Sequence, residues 1–537
     1  MKYIVIGGIA GGPSFATRLS RIDENAEIII LEKGSAISVA SCAIPYYLSG
    51  VIKNRDDLVE RTPEILKQKN NIDVRLHNEV NQINPADKTL TITNLADGEQ
   101  YTESYDRLVL ATGASPTFPN IPGIKDAPNA FILRSISQAD KIKDFIDQNH
   151  PQSVIVVGAG TIGIELAEAF KELGLDVSIV EQSGQVAAPF DSEITDIIKE
   201  HLEQKGIHLY LNQTVASIAD GGHTVNYADG TAHTTDMVFL GTGVKPNSEI
   251  AKAAGISTTP DGHIPVDDRL ATNVEDIYAI GDVIETTSLI DHQPIASLLS
   301  SAANRQGHLL ADILNGEPFR YHGFIGAGAT KIFDLTASFV GYTEQALIQK
   351  GVTNYKTVFI TPYDHAYFYP DADRVNFKLI FEDGTGKILG GQAVGRNGID
   401  KRISQLSVAI TGNLSVFDLP ALEIPYSPPY SSTRDILNIA GYVAINQLTN
   451  KFNSIKLTDI PVEDYDHAVF LDIREDDKKM TGTITPTIHI PLSELRNRIN
   501  EVPTKKKVYI TFRKGLGPYN ASRILAGNGI NAIIIEE

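Results

Sequence analysis

Val154-Ile155-Val156-Val157-Gly158-Ala159-Gly160-Thr161-Ile162-Gly163 runs from an apolar strand through a glycine turn into a helical pattern. A second apolar strand, Val177-Ser178-Ile179-Val180, follows and ends in Glu181, 18 residues after Gly163. Strand, turn, helix, strand and acid at this spacing make a dinucleotide-binding βαβ unit. The glycines let the backbone approach a pyrophosphate, and the helix N-terminus supplies N–H groups and a dipole. The acid accepts from a ribose hydroxyl. The same design opens the chain. Lys2-Tyr3-Ile4-Val5-Ile6 leads into Gly7-Gly8-Ile9-Ala10-Gly11-Gly12, and Ile28-Ile29-Ile30-Leu31 ends in Glu32, 20 residues after Gly12. This copy is less regular, because Ile9 occupies the middle glycine position.

Further segments fit around these units. Leu108-Val109-Leu110-Ala111-Thr112-Gly113 and Val238-Phe239-Leu240-Gly241-Thr242-Gly243 read as buried strands ending in Thr-Gly, and the segment 272–282 as a third ending in Gly281-Asp282. From about Tyr321 to Tyr442 strand and helix patterns alternate, marking a separate α/β domain. From Thr449 to Ile460 the chain turns polar and reads as a linker, and a small βα segment closes the sequence.

The 537 residues suffice for three or four domains at roughly 150 residues each. A net charge of −19 disfavours a general binder of nucleic acid or anionic membrane, although a local basic patch could still hold a small polyanion. No apolar run approaches the ~20 residues of a membrane span. The opening residues, one lysine before a short strand and glycines, do not read as a signal peptide, so a cytoplasmic setting is expected. Cys42 is the single cysteine, which excludes intramolecular disulfides and multi-cysteine metal sites; no metal is expected.

The order GGIAGG, Glu32, ATG, GAGTIG, GTG and AIGDV resembles the flavoprotein, or pyridine nucleotide-disulfide, oxidoreductases. That resemblance implies an α/β chain with two Rossmann-like domains for FAD and NAD, an α/β dimerisation domain and a C-terminal rhodanese-like α/β domain. The implied boundaries are 1–113 with 245–320 for FAD, 114–244 for NADH, 321–447 for the dimer and 448–537 for the last domain. The implied FAD site draws on Gly7, Ala10, Gly11, Gly12, Glu32, Lys33, Ser41, Val80, Ala111, Thr112, Gly113, Arg134, Gly281, Asp282 and Ala302. The implied NADH site draws on Gly158, Gly160, Ile162, Gly163, Glu165, Glu181 and Gly243, with Glu165 beneath the nicotinamide. Glu181 favours NADH over NADPH, because a carboxylate repels a 2′-phosphate and Gln182-Ser183 brings no arginine to reverse this.

The subclass rests on Ser38-Val39-Ala40-Ser41-Cys42-Ala43-Ile44-Pro45-Tyr46-Tyr47. Members with two thiols carry the second five positions on, where this chain has Tyr47. One cysteine before Ile-Pro-Tyr-Tyr resembles the coenzyme A disulfide reductases and NADH-dependent persulfide reductases. NADH oxidases and peroxidases also use one cysteine here, but their histidine in the first glycine loop falls at Ala10. A lone cysteine is by default a small buried hydrophobe; in this decapeptide it is expected to attack a sulfur–sulfur bond as a thiolate. The partner sulfur must then come from the substrate.

Coenzyme A is a polyanion, and the first glycine-loop helix presents Ser14, Arg18 and Arg21 in one stripe, with Phe15, Leu19 and Ile22 on the other face. A plain solvated stripe is the alternative reading. By the resemblance Ser14, Arg18, Arg21, Ser38, Asn304 and Arg434 touch coenzyme A, and Tyr426 crosses a homodimer interface to the partner's thiol. A second family tyrosine is replaced by Phe368 in His365-Ala366-Tyr367-Phe368-Tyr369-Pro370.

The C-terminal strands Ala468–Arg474, Ile488–Leu492 and Val508–Thr511 resemble a rhodanese domain, whose catalytic cysteine should follow the last of them. Phe512 stands there and Gly517 replaces a late arginine, so this domain is expected to be catalytically dead, a docking element for a protein partner or a stability element. The first expectation is thus an NADH-oxidising, FAD-dependent homodimer reducing coenzyme A disulfide or persulfide. The alternatives are an NADH oxidase or peroxidase cycling through a Cys42 sulfenic acid, and a flavin-based redox sensor or scaffold.

Overall fold

A computed structural model describes residues 1–117, 119–475, 487–511 and 515–536, in two compact units, 1–333 and 334–537. Phe512, Arg513 and Lys514, on which the reading of a dead rhodanese loop turns, lie outside the described residues.

In the first unit, five parallel strands run in the order Ile277–Ala279, Arg107–Leu110, Lys2–Ile6, Glu27–Glu32, Asp73–Leu76. The strands are apolar runs rather than alternating ones because helices cover both faces of such a sheet. Ile4, Ile30, Leu108 and Ala279 are all fully buried. The Gly11–Ile22 helix turns Phe15 and Leu19 into this core, and both are fully buried as the pattern requires. A second parallel sheet has the order Ile207–Leu211, Asp176–Glu181, Ser153–Val157, Met237–Leu240, Ala130–Phe131. Both glycine loops therefore lie at the C-terminal ends of central strands, where open α/β sheets bind their ligands.

The second unit holds four antiparallel strands in the order Leu335–Gly341, Ile388–Gly395, Asn376–Glu382, Tyr355–Ile360, with the helices Ile399–Thr411 and Ile436–Leu448. It also holds a parallel sheet ordered Asn453–Lys456, Ala532–Glu536, Val508–Thr511, Val469–Asp472, Ile488–His489. The reading of 449–460 as a linker is corrected here. Asn453-Ser454-Ile455-Lys456 is an edge strand of that sheet, and an edge strand with one solvated side can be polar. Lys456 is also tied down, donating to Glu344 Oε1 at 2.7 Å while Lys378 donates to Oε2 at 2.8 Å. Burial opposes ionisation of Glu344, yet the two lysines hold its carboxyl below the usual range.

No helix among the described residues is long and apolar enough to cross a membrane.

Candidate active site

Each loop requires glycine for a steric reason. Gly7 has φ +108°, and a Cβ there would lie 2.2 Å from Ala111 O; a Cβ on Gly12 would lie 2.0 Å from Gly7 O. In the second loop Gly158 has φ +106° with Gly241 O in the way at 2.5 Å, and a Cβ on Gly163 would meet Gly158 O at 2.1 Å. Gly160 differs: nothing lies within 4 Å of its Cβ position, so the space above it is open to a ligand.

The two acids act alike. Glu32 accepts from the N–H of Gly8 and of Gly34, both at 2.7 Å. Glu181 accepts from Ala159 N–H at 2.9 Å and Ser183 N–H at 2.8 Å. Each carboxylate thus braces its own loop, a role that the spacing alone did not announce. Each oxygen keeps a further lone pair for a ribose hydroxyl.

Cys42 sits exposed in a 3₁₀ turn, Ser41–Ala43, before the short helix Ile44–Leu48. Tyr47, which stands where a second thiol would be, is buried. Ser38 adopts φ +52°, its N–H donates to Gly8 O at 2.8 Å, and its carbonyl accepts from Glu60 N–H at 3.0 Å. Its own Oγ is buried with no partner. A buried hydroxyl left unbonded beside the first loop is what a site for a polar ligand leaves open. The glycine cradles make the residues present fit a dinucleotide at the first loop, and the open Gly160 makes them fit one at the second.

The Ser300–Leu314 helix closes the site from below. A Cβ on Gly307 would lie 2.3 Å from Gly11 O, so glycine allows this helix to cross the first loop helix closely. The crossing brings Ser14 Oγ to donate to Asn304 O at 2.8 Å, joining two of the expected substrate residues. Arg18 is paired with Asp312, Nε to Oδ1 at 2.7 Å. Arg21 and Arg305 are exposed, with no hydrogen-bond or ion-pair partner among the described residues. Gln306, fully buried, accepts from Gly281 N–H at 2.8 Å and donates to Ser297 and Tyr321, fixing the Gly-Asp turn. Asp282 receives Arg134 at 3.0 Å, so two expected cofactor residues meet. Ala302 is buried in the same helix and Val80 in a neighbouring strand. Lys33 is exposed, while Ala10 and Ser41 are half-buried.

The Thr-Gly turns are crossover points. Thr112 Oγ1 donates to Asn247 O at 2.7 Å, and Asn247 N–H returns to Gly113 O at 2.9 Å. Thr117 N–H donates to Gly243 O at 2.9 Å. On the second loop helix, Ile162 is exposed at its first turn. Farther along, burial pushes the Glu165 carboxyl up, while Thr330 Oγ1 donates to it at 3.0 Å. Burial, then Glu165, Glu168 and Cys42, push the Tyr46 phenol up to about 12, so it stays neutral at ordinary pH.

In the second unit the two expected aromatic segments come together. Ala366 N–H donates to Pro428 O at 3.2 Å, and Ser432 Oγ to His365 O at 3.3 Å. Buried Arg402 clamps both, donating to Asp364 O at 2.7 Å and Asp435 at 3.0 Å. Tyr367, Phe368, Tyr426, Tyr430 and Arg434 are left exposed. Sequence reasoning missed Ser300, which carries no motif, and Asn247 and Asp312, whose partners are distant in the chain.

Residues 1–304 match the pyridine nucleotide-disulphide oxidoreductase family, and 328–436 its dimerisation domain. The chain belongs to this family. It is 34% identical over 444 residues to a coenzyme A disulfide reductase of Staphylococcus haemolyticus, covering 82% of this chain and 99% of that one. Among solved structures, the reduced CoADR-RHD of Bacillus anthracis superposes with TM-score 0.97 at 39% identity, over 99% of this chain and 96% of the other. A NAD-dependent persulfide reductase from A. fulgidus gives 0.91 at 34% identity, over 100% and 99%. The chain is an oxidoreductase of the four-part α/β architecture expected from its motifs.

Proposed function

We propose that the protein is a homodimeric, FAD-dependent reductase that oxidises NADH and reduces a coenzyme A disulfide or persulfide through Cys42. The observation that carries this reading is the single exposed thiol, with a buried tyrosine where a dithiol enzyme keeps its second cysteine. Segments 1–113 and 245–320 hold FAD through Gly7, Gly12, Glu32, Thr112 and Asp282, and 114–244 holds NADH through Gly158, Gly160, Gly163 and Glu181. When bound there, FAD would supply two-electron chemistry between NADH and sulfur. Residues 321–447 form the dimer, and 448–537 the rhodanese-like domain.

Cys42, as a thiolate, attacks one sulfur of the substrate; a Cys42–sulfur bond forms, the substrate sulfur–sulfur bond breaks, and one coenzyme A thiolate leaves and takes a proton from the phenol of Tyr426 of the partner subunit, which regains one from solvent. Two electrons from NADH and a second proton then cleave the new bond and release the second thiol. The balance is one NADH and one proton consumed for two thiols formed from a disulfide. Ser38, Ser14 and Asn304 line the approach for the substrate tail. Arg21 supplies an unpaired cation for its phosphates, and Arg18 a second one shared with Asp312. Tyr426 of the partner subunit would reach Cys42 and protonate the leaving sulfur. Phe368 cannot donate a proton, so that task falls to one phenol.

Anaerobic NADH consumption with coenzyme A disulfide, coenzyme A persulfide and hydrogen peroxide, for the wild type and Cys42→Ser, tests this. The proposal predicts Cys42-dependent turnover with a coenzyme A species and little with peroxide. Turnover with peroxide alone would overturn it in favour of an oxidase–peroxidase, a reading that Ala10 in the first loop weakens.

A further inference from the structure

Ser300 is the first residue of a fifteen-residue helix, and its hydroxyl lies 3.9 Å from Cys42 Sγ. We propose that this hydroxyl is the hydrogen-bond donor that holds the Cys42 thiolate, a task that a dithiol enzyme can assign to its second cysteine. The proposal rests on the reading of Cys42 as the nucleophile.

The position is set by packing. Gly307 lies so close to Gly11 that neither helix can slide past the other without opening the crossing, since a Cβ at 307 would stand 2.3 Å from Gly11 O. That fixes the helix start against the 3₁₀ turn carrying Cys42. Leu299, at the N-cap, offers no side-chain acceptor, so the positive end of the helix is left uncapped by a side chain near the sulfur. Anionic sulfur at a helix N-terminus is favoured. Among the described residues no lysine, arginine or histidine is bonded to Cys42, and the contact with Ser300 is its side-chain hydrogen bond.

The titratable groups coupled to the thiol point the same way. Tyr46, on the following short helix, is neutral and feels the charges of Cys42, Glu165 and Glu168, and Lys331 is spent on Glu168. Among the described residues none of these gives the thiolate a bonded cation. Within its own chain an O–H donor and a helix end are what remain, beside the phenol of Tyr426 of the partner subunit that the proposed function brings to the leaving sulfur. A distance of 3.9 Å is the long end for a bond to sulfur, and such contacts tighten when the charged form is present. During the reaction Ser300 keeps its proton. It donates to the thiolate before attack, loses that bond as sulfur enters the mixed disulfide, and regains it when two electrons restore the thiolate.

The test is the pH dependence of Cys42 alkylation by iodoacetamide in the flavin-containing enzyme, reduced anaerobically with NADH and freed of nucleotide, read as adduct mass. Ser300→Ala is expected to alkylate roughly three- to tenfold more slowly near neutral pH and to match or exceed the wild-type rate at high pH, because a thiolate without the hydrogen bond is the stronger nucleophile. Ser300→Thr, which keeps the hydroxyl, restores the wild-type profile. An Ala profile that overlays the wild type overturns the proposal, as does a Thr variant that behaves like Ala. Flavin content and melting temperature equal to wild type show that both variants are folded. Because alkylation involves no coenzyme A, failure of the wild type to turn over coenzyme A disulfide would sink the reductase reading without touching this result.

Discussion

Glu32 and Glu181 make the same two backbone bonds, to the residue after the first loop glycine and to the residue two places past the acid, in different surroundings. Glu32 is 8% exposed, while Glu181 is half-buried. The first loop is walled in at its glycines, where Cβ positions at Gly8 and Gly11 would already press on Glu32, Ile37, Ile280 and Ala303, although Ile9 at its tip is 40% exposed. The second is open above Gly160, and Ile162 is 45% exposed. One motif thus yields two kinds of site. An enclosed loop suits a dinucleotide that stays through many cycles, and an open one suits a dinucleotide that arrives and leaves in each.

The largest expected effects separate the two loops by which ligand is lost. Gly12→Ala puts a Cβ 2.0 Å from Gly7 O and Gly163→Ala one 2.1 Å from Gly158 O, so each must move backbone, at about 3 kcal/mol or the local fold. Gly12→Ala should purify without flavin absorbance. Gly163→Ala should keep its flavin and lose NADH-driven flavin reduction. Flavin lost equally from both would erase the distinction.

Next in size is the removal of the acids. Glu32→Ala leaves two N–H groups without their acceptor in a buried loop and should cost about 2–3 kcal/mol in urea unfolding. Glu181→Ala, where water can replace the carboxylate, should cost about 1 kcal/mol and raise the KM for NADH, leaving that for NADPH unchanged or lower. Equal destabilisation would mean that burial is not what distinguishes the loops.

Gly160→Ala is gentler. Its φ of −70° suits alanine and its Cβ meets nothing, so stability should stay within about 0.5 kcal/mol of wild type. The new methyl group fills ligand space, so NADH affinity should fall roughly tenfold by titration, or about 1.4 kcal/mol.

The smallest effect is pH-dependent and concerns Glu165 on the second loop helix. Burial raises its pKa above the usual carboxylate range, so the folded state prefers the protonated acid. The stability it contributes is present below the unfolded pKa and lost as pH rises through the folded one. Glu165→Gln removes that loss. The melting temperature of the variant relative to wild type should therefore become more favourable from pH 4 to pH 8; a flat difference would contradict the burial argument.

How far the sequence was legible follows from which interactions are local. Strand, glycine turn, helix and acid lie within about 30 residues and read clearly, and the decapeptide around Cys42 marked the nucleophile. What stayed hidden connects distant parts of the chain. Ser300 meets Cys42 across 258 positions, and Arg18 meets Asp312 across 294, so a helical stripe that reads as free cations is partly an ion pair. The polar stretch at 453–456 reads as a linker because an edge strand shows its partner only in the folded sheet. The role of the acids as braces was masked by their textual role as ribose acceptors, since both uses need a carboxylate at the same place.

The central claim is that one protein sulfur pairs with one substrate sulfur. Its most direct test is the intact mass of the NADH-reduced, nucleotide-free enzyme after anaerobic mixing with coenzyme A disulfide. The account predicts one coenzyme A adduct per chain, mapped to Cys42, absent in Cys42→Ser, and released on adding NADH. No adduct, or an adduct that survives NADH, would contradict it.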